Sequence, residues 1–284
     1  MHNFPYRTVV FDLDGTLLDA ENELTEKLKE KLLHLKRKGF TLIVATGRTF
    51  GEIQSLVENG IFSAYICSNA MSIYNEKQQR IQHFILPEKV LPTILDAAVA
   101  QQMYYELRQD LGHGCVYAAD LPYMDEMLKG ERGLTVSKHE WQARQTIFKQ
   151  LKDMEETDLK EAVKVYFFHP DAKKLITWRA TLAQLINNYP IAIESSSVNS
   201  CEIVHQQASK GLGLRALVEM GVMERESIIC FGDSFNDLSM FQYAAYTVAM
   251  KNGNEQLKAV ANEVTKYTNG EDGIFHWLEK HIKE

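Results

Sequence analysis

The feature that most constrains the fold is an apolar run near the N-terminus that ends abruptly in polar residues. Residues 8–18 read Thr-Val-Val-Phe-Asp-Leu-Asp-Gly-Thr-Leu-Leu. A short β-branched run of this kind predicts a strand buried on both faces of a parallel sheet. Asp12 and Asp14 are expected to leave the strand end on the same side, at the edge where α/β sheets bind ligands. Two carboxylates there favour a bound divalent cation; the alternative is a helix cap beside a turn carboxylate.

Composition excludes several classes of protein. The chain has 284 residues, of which 45% are hydrophobic and 24% charged, which is typical of a folded globular protein. Its net charge of −7 argues against a basic surface for nucleic acid. No stretch has the pattern of a signal peptide or of a membrane span, so we expect a cytoplasmic protein with no membrane partner. The four scattered cysteines predict buried free thiols rather than a zinc site.

The order of predicted elements indicates an α/β core interrupted by a different domain. Strands and helices alternate at first, with helices expected over residues 19–38 and 50–59 and a hairpin near 72–86. From about Pro87 the strands come in pairs, with a long helix expected over 140–157, which predicts an antiparallel sheet with helices on one face. The α/β alternation resumes at Ser209. We therefore predict a doubly wound parallel-sheet core (1–84 and 207–284) with an inserted α+β cap (85–206) that sets substrate specificity.

Three further polar groups are predicted at strand ends or helix starts. Thr46-Gly47-Arg48 follows the second strand, where a hydroxyl and backbone N–H groups can cradle phosphate, although threonine-glycine turns are common. Lys210 opens the helix after the cap, although the dipole at a helix N-terminus favours anions over cations. A phosphate bound beside the lysine would explain this placement, and the alternative is a solvated lysine. Residues 232–237 read Gly-Asp-Ser-Phe-Asn-Asp and carry more polar groups than a helix cap needs.

Together these groups predict phosphoryl transfer. A phosphate monoester carries nearly two negative charges, so an anionic nucleophile needs positive charge beside it. Oxygen ligands with retained waters suit Mg²⁺. As a hypothesis, Asp12 attacks phosphorus to form an aspartyl-phosphate, and Asp14 acts as the general acid and then the general base. Lys210 and Thr46 stabilise the phosphoryl charge.

These motifs resemble those of the haloacid dehalogenase-like hydrolases, in particular the Cof-type sugar-phosphate phosphatases with a large cap. The resemblance implies that Asp12 is the nucleophile, that Asp14 is the acid/base, and that the backbone carbonyl of Asp14 also binds Mg²⁺. It also implies that Thr46 and Lys210 serve as the motif-two and motif-three residues. By the same resemblance Asp12, Asp14 and Asp233 hold the metal with Asp237 close behind, and Asn236 helps to bind phosphate.

The resemblance has one departure that matters for the backbone. The family usually shows Ser-Asn-Gly-Ala after its third strand, and this chain has Ser68-Asn69-Ala70-Met71, with alanine in place of glycine. Arg48 and Gly47 join Thr46, Lys210 and Asn236 as candidate phosphate-binding residues, although Arg48 could equally be a surface arginine.

The predicted function is a Mg²⁺-dependent phosphatase, a monomer or weak homo-oligomer, acting on small phosphorylated metabolites, sugar phosphates among them. The alternatives are a phosphotransferase or mutase with the same chemistry, and a non-catalytic sensor of a phosphorylated ligand.

Overall fold

The computed structural model describes residues 4–54 and 60–282, without the side chains of His139 and Ser196. The chain divides into two compact units: a core formed by the residues up to His83 and from Ala208 onward, and a cap from Phe84 to Gln207. The predicted bounds of the cap, 85–206, differ by one residue at each end from the bounds of this unit. None of the helices in the described ranges is long and apolar enough to cross a membrane.

The core is built around one sheet of eight strands, assembled from both ends of the chain. Its strands are β1 (Thr8–Phe11), β2 (Thr41–Ala45), β3 (Ala64–Cys67), β4 (Ser72–Asn75) and β5 (Arg80–His83) before the cap. The cap contributes β6 (Tyr104–Gln109), β7 (Gly114–Val116), β8 (Lys152–Asp153), β9 (Ala162–Phe168), β10 (Ile191–Ser197) and β11 (Ser200–His205) to a separate sheet. The core strands after the cap are β12 (Ile228–Gly232), β13 (Tyr246–Ala249) and β14 (Glu263–Val264).

The helices follow the same division between core and cap. The first core segment contains α1 (Glu26–Arg37) and α2 (Phe50–Ile53). The cap contains α3 (Leu91–Ala100), α4 (Leu121–Lys129), α5 (Lys138–Phe148), α6 (Glu156–Lys160) and α7 (Ala172–Leu185). The second core segment contains α8 (Lys210–Glu219), α9 (Leu238–Tyr243), α10 (Glu255–Val260) and α11 (Gly273–His281).

The core sheet has the order β14-β13-β12-β1-β2-β3-β4-β5. All pairs from β14 to β3 are parallel, and the hairpin β4–β5 adds two antiparallel strands at one edge. The central strand β1 pairs with β12 through Thr8 and Ile228 and with β2 through Thr8 and Thr41. Because crossover helices pack on both faces, β1 is completely buried, as its apolar sequence predicted.

Alternate residues of the core strands face two different layers of helices. Val9 and Phe11 pack in the layer formed by α1 and α11, where Leu32 and Trp277 are buried. Val10 packs with Leu214 of α8 in the opposite layer. This two-sided packing confirms the predicted doubly wound α/β core.

The cap is an α+β unit with the sheet order β10-β11-β9-β6-β7-β8, antiparallel except between β7 and β8. The prediction that helices cover only one face is wrong. Trp178 of α7 packs against Phe167, whereas Trp141 of α5 packs against Phe168. Neighbouring residues of a strand point to opposite faces, so helices lie on both sides of this sheet.

Two predicted helices have different bounds in the structure, and a third is described only in part. The helix expected over 19–38 begins only at Glu26, because the Asp19 carboxylate accepts hydrogen bonds from the backbone N–H groups of Glu21 and Glu23 and forms a turn. The helix expected over 140–157 ends at Phe148, and strand β8 then separates it from α6. The helix expected over 50–59 is seen from Phe50 to Ile53, and residues 55–59 lie outside the described part of the chain.

Candidate active site

The C-terminal edge of the core sheet gathers polar residues from distant parts of the chain. Asp12 lies directly after β1, Asp233 and Asp237 follow β12, and Lys210 is the first residue of α8. Since β1 and β12 are neighbours and parallel, their carboxyl ends meet at the same edge of the sheet. The order of strands therefore accounts for the convergence of segments about 200 residues apart, as the Asp12–Lys210 separation of 198 residues illustrates.

Lys210 links two buried carboxylates. Its Nζ lies 2.6 Å from Oδ1 of Asp12 and 2.6 Å from Oδ1 of Asp237. The side chains of Lys210 and Asp237 are both 0% exposed. A lysine at this depth is rare unless it is paired, so the structure excludes the solvated lysine that the sequence left open.

Lys210 keeps its proton in this site. Burial disfavours its charge, but the attraction of Asp12 and Asp237 is stronger in sum and raises the pKa of Lys210 above its ordinary value. The ammonium group is therefore a fixed positive charge beside the Asp12 carboxylate.

The carboxylates carry more negative charge than one lysine balances. Burial raises the pKa of Asp12 well above its ordinary value; Lys210 opposes this shift, and Asp237 and Asp233 add to it. Burial and the nearby Asp237 likewise raise the pKa of Asp233 to about 6. A divalent cation would relieve the repulsion that both shifts record.

The same three aspartates form the cluster that could hold a metal ion. Among the described residues, Asp12, Asp233 and Asp237 each offer an oxygen, and these oxygens lie within 4.8 Å of one another. An all-oxygen donor set fits Mg²⁺ rather than zinc. Asp233 also accepts a hydrogen bond from Thr16 Oγ1 at 3.3 Å, a contact that the sequence analysis did not identify.

Asp237 contacts the loop after β12 as well as Lys210. Its Oδ2 accepts hydrogen bonds from the backbone N–H groups of Asp233 and Ser234, both at 2.9 Å. Both of its oxygens are therefore engaged, which makes Asp237 less available to a metal than Asp12 or Asp233. It positions Lys210 and the loop after β12.

Asp14 is more exposed than Asp12 and has a different partner. The turn after β1 places Gly15 at φ +75°, and a Cβ there would lie 2.5 Å from Asp233 Oδ2. The side chain of Asp14 is 50% exposed, against 6% for Asp12, and it forms an ion pair with Arg48. Arg48 Nε donates to Asp14 Oδ2 at 2.9 Å. Arg48 is thus not a free surface arginine.

The Thr46-Gly47-Arg48 segment forms the turn after β2. Thr46 is completely buried, and its Oγ1 accepts a hydrogen bond from the backbone N–H of Arg48 at 3.1 Å. One backbone donor of the expected phosphate cradle is therefore already engaged. A Cβ on Gly47 would lie 3.6 Å from Asn236 Nδ2, which brings this turn against the loop after β12.

Comparisons with known proteins identify the family. A family model described as haloacid dehalogenase-like hydrolase matches residues 9–278. The 5-amino-6-(5-phospho-D-ribitylamino)uracil phosphatase YwtE of Bacillus subtilis is 26% identical over 96% of this chain and 97% of its own length. Phosphatase YwpJ of the same organism is 27% identical over 97% of this chain and 99% of its own length.

A solved structure agrees with the sequence comparisons. A haloacid dehalogenase-like hydrolase from Bacteroides thetaiotaomicron superposes with a TM-score of 0.77 at 26% identity, covering 97% of this chain and 99% of its own. The predicted family and enzyme class are confirmed, since the family is one of hydrolases and the relatives named above are phosphatases. The chain belongs to the haloacid dehalogenase-like hydrolases.

Proposed function

We propose that the protein is a Mg²⁺-dependent phosphatase that hydrolyses small phosphorylated metabolites through an aspartyl-phosphate on Asp12. The observation that carries the proposal is the buried contact of Lys210 with Asp12 at 2.6 Å, beside the carboxylates of Asp233 and Asp237. A structural ion pair needs one carboxylate for one lysine. The surplus of acids at the ligand-binding edge of the sheet supports a site for a cation and an anionic substrate.

The nucleophile in this proposal is the Asp12 carboxylate. Lys210 neutralises part of its charge and that of the incoming phosphoryl group, so a dianionic ester can approach. Attack on phosphorus forms the Asp12–phosphate bond and releases the alcohol, which separates one difficult displacement into two easier ones. Water then attacks the aspartyl-phosphate and regenerates the carboxylate.

Asp14 is the proposed general acid and base. It protonates the departing alkoxide and later takes a proton from the attacking water. Arg48 holds its carboxylate by a hydrogen bond, so the two side chains must separate before Asp14 can reach the leaving group. A phosphate dianion is a stronger partner for a guanidinium than one carboxylate, and we expect Arg48 to transfer to it when the substrate binds.

The metal site is proposed at Asp12 and Asp233, with the backbone carbonyl of Asp14 as a further ligand. When bound, Mg²⁺ would supply charge neutralisation and orientation for the phosphoryl group. Asp237 supports this site through Lys210 and the backbone of the loop after β12. Thr46, Gly47 and Asn236 complete the proposed phosphate-binding surface.

The size and kind of substrate are supported by the relatives. YwtE is named for 5-amino-6-(5-phospho-D-ribitylamino)uracil, in which the phosphate is carried on a ribityl chain. We propose phosphorylated sugars and polyols as the substrate class, with the cap unit setting the choice among them. A panel of such metabolites, scored by phosphate release, tests this part separately.

The chemistry is tested with p-nitrophenyl phosphate. We expect hydrolysis that needs Mg²⁺, stops with EDTA, and falls by at least about 10³-fold in Asp12→Asn, since the amide cannot act as the nucleophile. Asp125→Asn makes the same chemical change at a partly exposed cap carboxylate that forms an ion pair with Lys129, and it should leave the rate unchanged. Equal rates for wild type and Asp12→Asn would refute the mechanism, and phosphate binding without turnover would favour the sensor.

A further inference from the structure

The turn after β3 has an unusual backbone conformation. Ser68, Asn69 and Ala70 have φ values of +48°, +55° and +77° in succession. Residues other than glycine rarely adopt the left-handed region, and a run of three costs on the order of 1 kcal/mol or more per residue. Asparagine tolerates this conformation better than most, whereas alanine does not. Surrounding contacts must hold such a turn in place, and strained turns of this kind concentrate at functional sites.

Two backbone hydrogen bonds attach this turn to the proposed phosphate-binding loop. The N–H of Ser68 donates to the carbonyl of Arg48 at 2.7 Å, and the N–H of Asn69 donates to the carbonyl of Thr46 at 2.9 Å. Both bonds lie beyond the ends of β2 and β3, so they belong to the loops and not to the sheet. The left-handed conformation of Ser68 turns the next N–H, that of Asn69, toward the Thr46–Arg48 segment.

The side chain of Asn69 reaches a second loop. It is 4% exposed, and its Oδ1 accepts a hydrogen bond from Asn236 Nδ2 at 3.3 Å. Oδ1 of Asn236 in turn accepts a hydrogen bond from Ser234 Oγ at 2.6 Å, which fixes the orientation of its carboxamide.

This hydrogen bond passes over the catalytic edge of the sheet. Asn69 follows β3 and Asn236 follows β12, and the strand order β12-β1-β2-β3 places two strands between them. Those are the strands that end at Asp12 and Thr46. A Cβ on Gly47 would lie 3.6 Å from both Asn236 Nδ2 and Asn69 Oδ1, so the bond borders the Gly47 backbone.

We infer that Asn69 is a positioning residue that holds the two phosphate-binding loops, Thr46–Arg48 and the segment around Asn236, in fixed register. The inference rests on the proposed function and extends it to a residue outside the catalytic motifs. Asn69 acts through its backbone on the first loop and through its carboxamide on the second. Its left-handed φ is the condition that lets one residue make both contacts.

The test separates the side chain from the backbone. Asn69→Gly deletes the carboxamide but accepts the left-handed conformation at no cost, so the turn persists. We expect kcat with p-nitrophenyl phosphate to fall by about 10- to 100-fold, the effect of misplacing reacting groups by a fraction of an ångström to one ångström. The matched control is Ala70→Gly, in the same turn but without the bond to Asn236, and its kcat should stay within about twofold of wild type.

A double-mutant cycle distinguishes positioning from a general loss of structure. If Asn69 acts through Asn236, then Asn69→Gly adds little to the loss already caused by Asn236→Ala, and the two effects on log kcat are strongly non-additive. A merely structural role lowers the unfolding midpoint instead and leaves kcat per folded molecule unchanged. If Asn69→Gly does not fold, Asn69→Ser, which also removes the carboxamide oxygen, takes its place in the cycle.

The outcomes separate this inference from the proposed function. If wild type hydrolyses the ester and Asp12→Asn does not, the proposed function stands. In that case a wild-type kcat for Asn69→Gly, or additive effects in the cycle, overturns the role of Asn69 alone. If wild type shows no Mg²⁺-dependent hydrolysis, the proposed function fails and the inference fails with it.

Discussion

Replacing Lys210 with methionine tests the electrostatics of the site without any substrate. Methionine has nearly the same length and volume and fits an apolar pocket, so the change removes charge with little loss of packing. It leaves Asp12 and Asp237 buried without their common partner. The expected result is a large loss of stability of the core in the absence of metal.

The magnitude follows from the two contacts. At 2.6 Å, each ion pair is worth about 6 kcal/mol of Coulomb attraction at an effective dielectric constant of about 20. The cost of burying the ammonium offsets part of this attraction. The Asp12 carboxylate, once it has lost this partner, can also take up a proton, because burial already raises its pKa. Breaking a buried pair at one partner then costs about 3–5 kcal/mol.

Hydrogen–deuterium exchange in EDTA measures this loss within the core. Exchange of the β12 amides should become roughly 10²- to 4 × 10³-fold faster in Lys210→Met, since each 1.4 kcal/mol is about a factor of ten. Mg²⁺ should slow exchange more in the variant than in wild type, because the cation replaces the lost positive charge. Lys251→Met removes a lysine whose ion pair with Glu271 is half-exposed and should change exchange by less than about threefold. A loss below about 1 kcal/mol for Lys210→Met would refute the electrostatic account.

Three further predictions concern the turn after β1, the metal and the thiols. Gly15→Ala should weaken Mg²⁺ binding, measured by calorimetry, by about tenfold or more. The added Cβ would displace the Asp233 carboxylate, and the left-handed φ of Gly15 is one that alanine rarely adopts. Unchanged affinity would contradict the geometry. The pKa of Asp233 is raised from 3.8 to about 6 in the metal-free protein. Its protonated form therefore contributes stability that is fully present below pH 4 and is lost as the pH rises through 6. The rise in Tm caused by Mg²⁺ over EDTA should therefore be larger at pH 7.5 than at pH 5, and equal shifts would contradict it. Burial raises the pKa of Cys115 to about 11 and that of Cys201 to about 12, so neither thiol should react with a disulfide reagent at pH 8 until the protein is unfolded; rapid labelling of the native protein would contradict their burial.

The architecture was predictable because its signals are local and repeated. The apolar strands β1, β2 and β12 each end in polar residues, and parallel strands bring those ends to one edge whatever the details of packing. The four cysteines are buried and free, as their scattered spacing predicted. The predicted α/β alternation failed mainly at helix ends, where single contacts such as the Asp19 turn decide the boundary.

The arrangement of side chains within the site was less predictable. Asp12 and Asp14 stand two residues apart, and only the turn at Gly15 explains why one is buried against Lys210 and the other pairs with Arg48. The sequence also identified the alanine in Ser68-Asn69-Ala70-Met71 as a departure, but not that Ala70 takes the conformation that glycine would favour, at φ +77°. Both features depend on contacts between segments far apart in the chain, which no local pattern encodes.

The pairing of β1 with β12 bears on how the protein is made. Thr8 and Ile228 are register partners, and 219 residues lie between them in the chain. Strand β1 therefore cannot pair with β12 until those residues have been synthesised. At the usual pace of translation, about 5–20 residues per second, the nascent chain holds an apolar, unpaired strand edge for ten seconds or more. We expect the inserted cap to fold during that interval and to shorten the loop that must close. A nascent chain stalled after residue 207 has left the exit tunnel, but before β12 has done so, would thus display a finished cap and an open, aggregation-prone half-sheet with no enzyme in it.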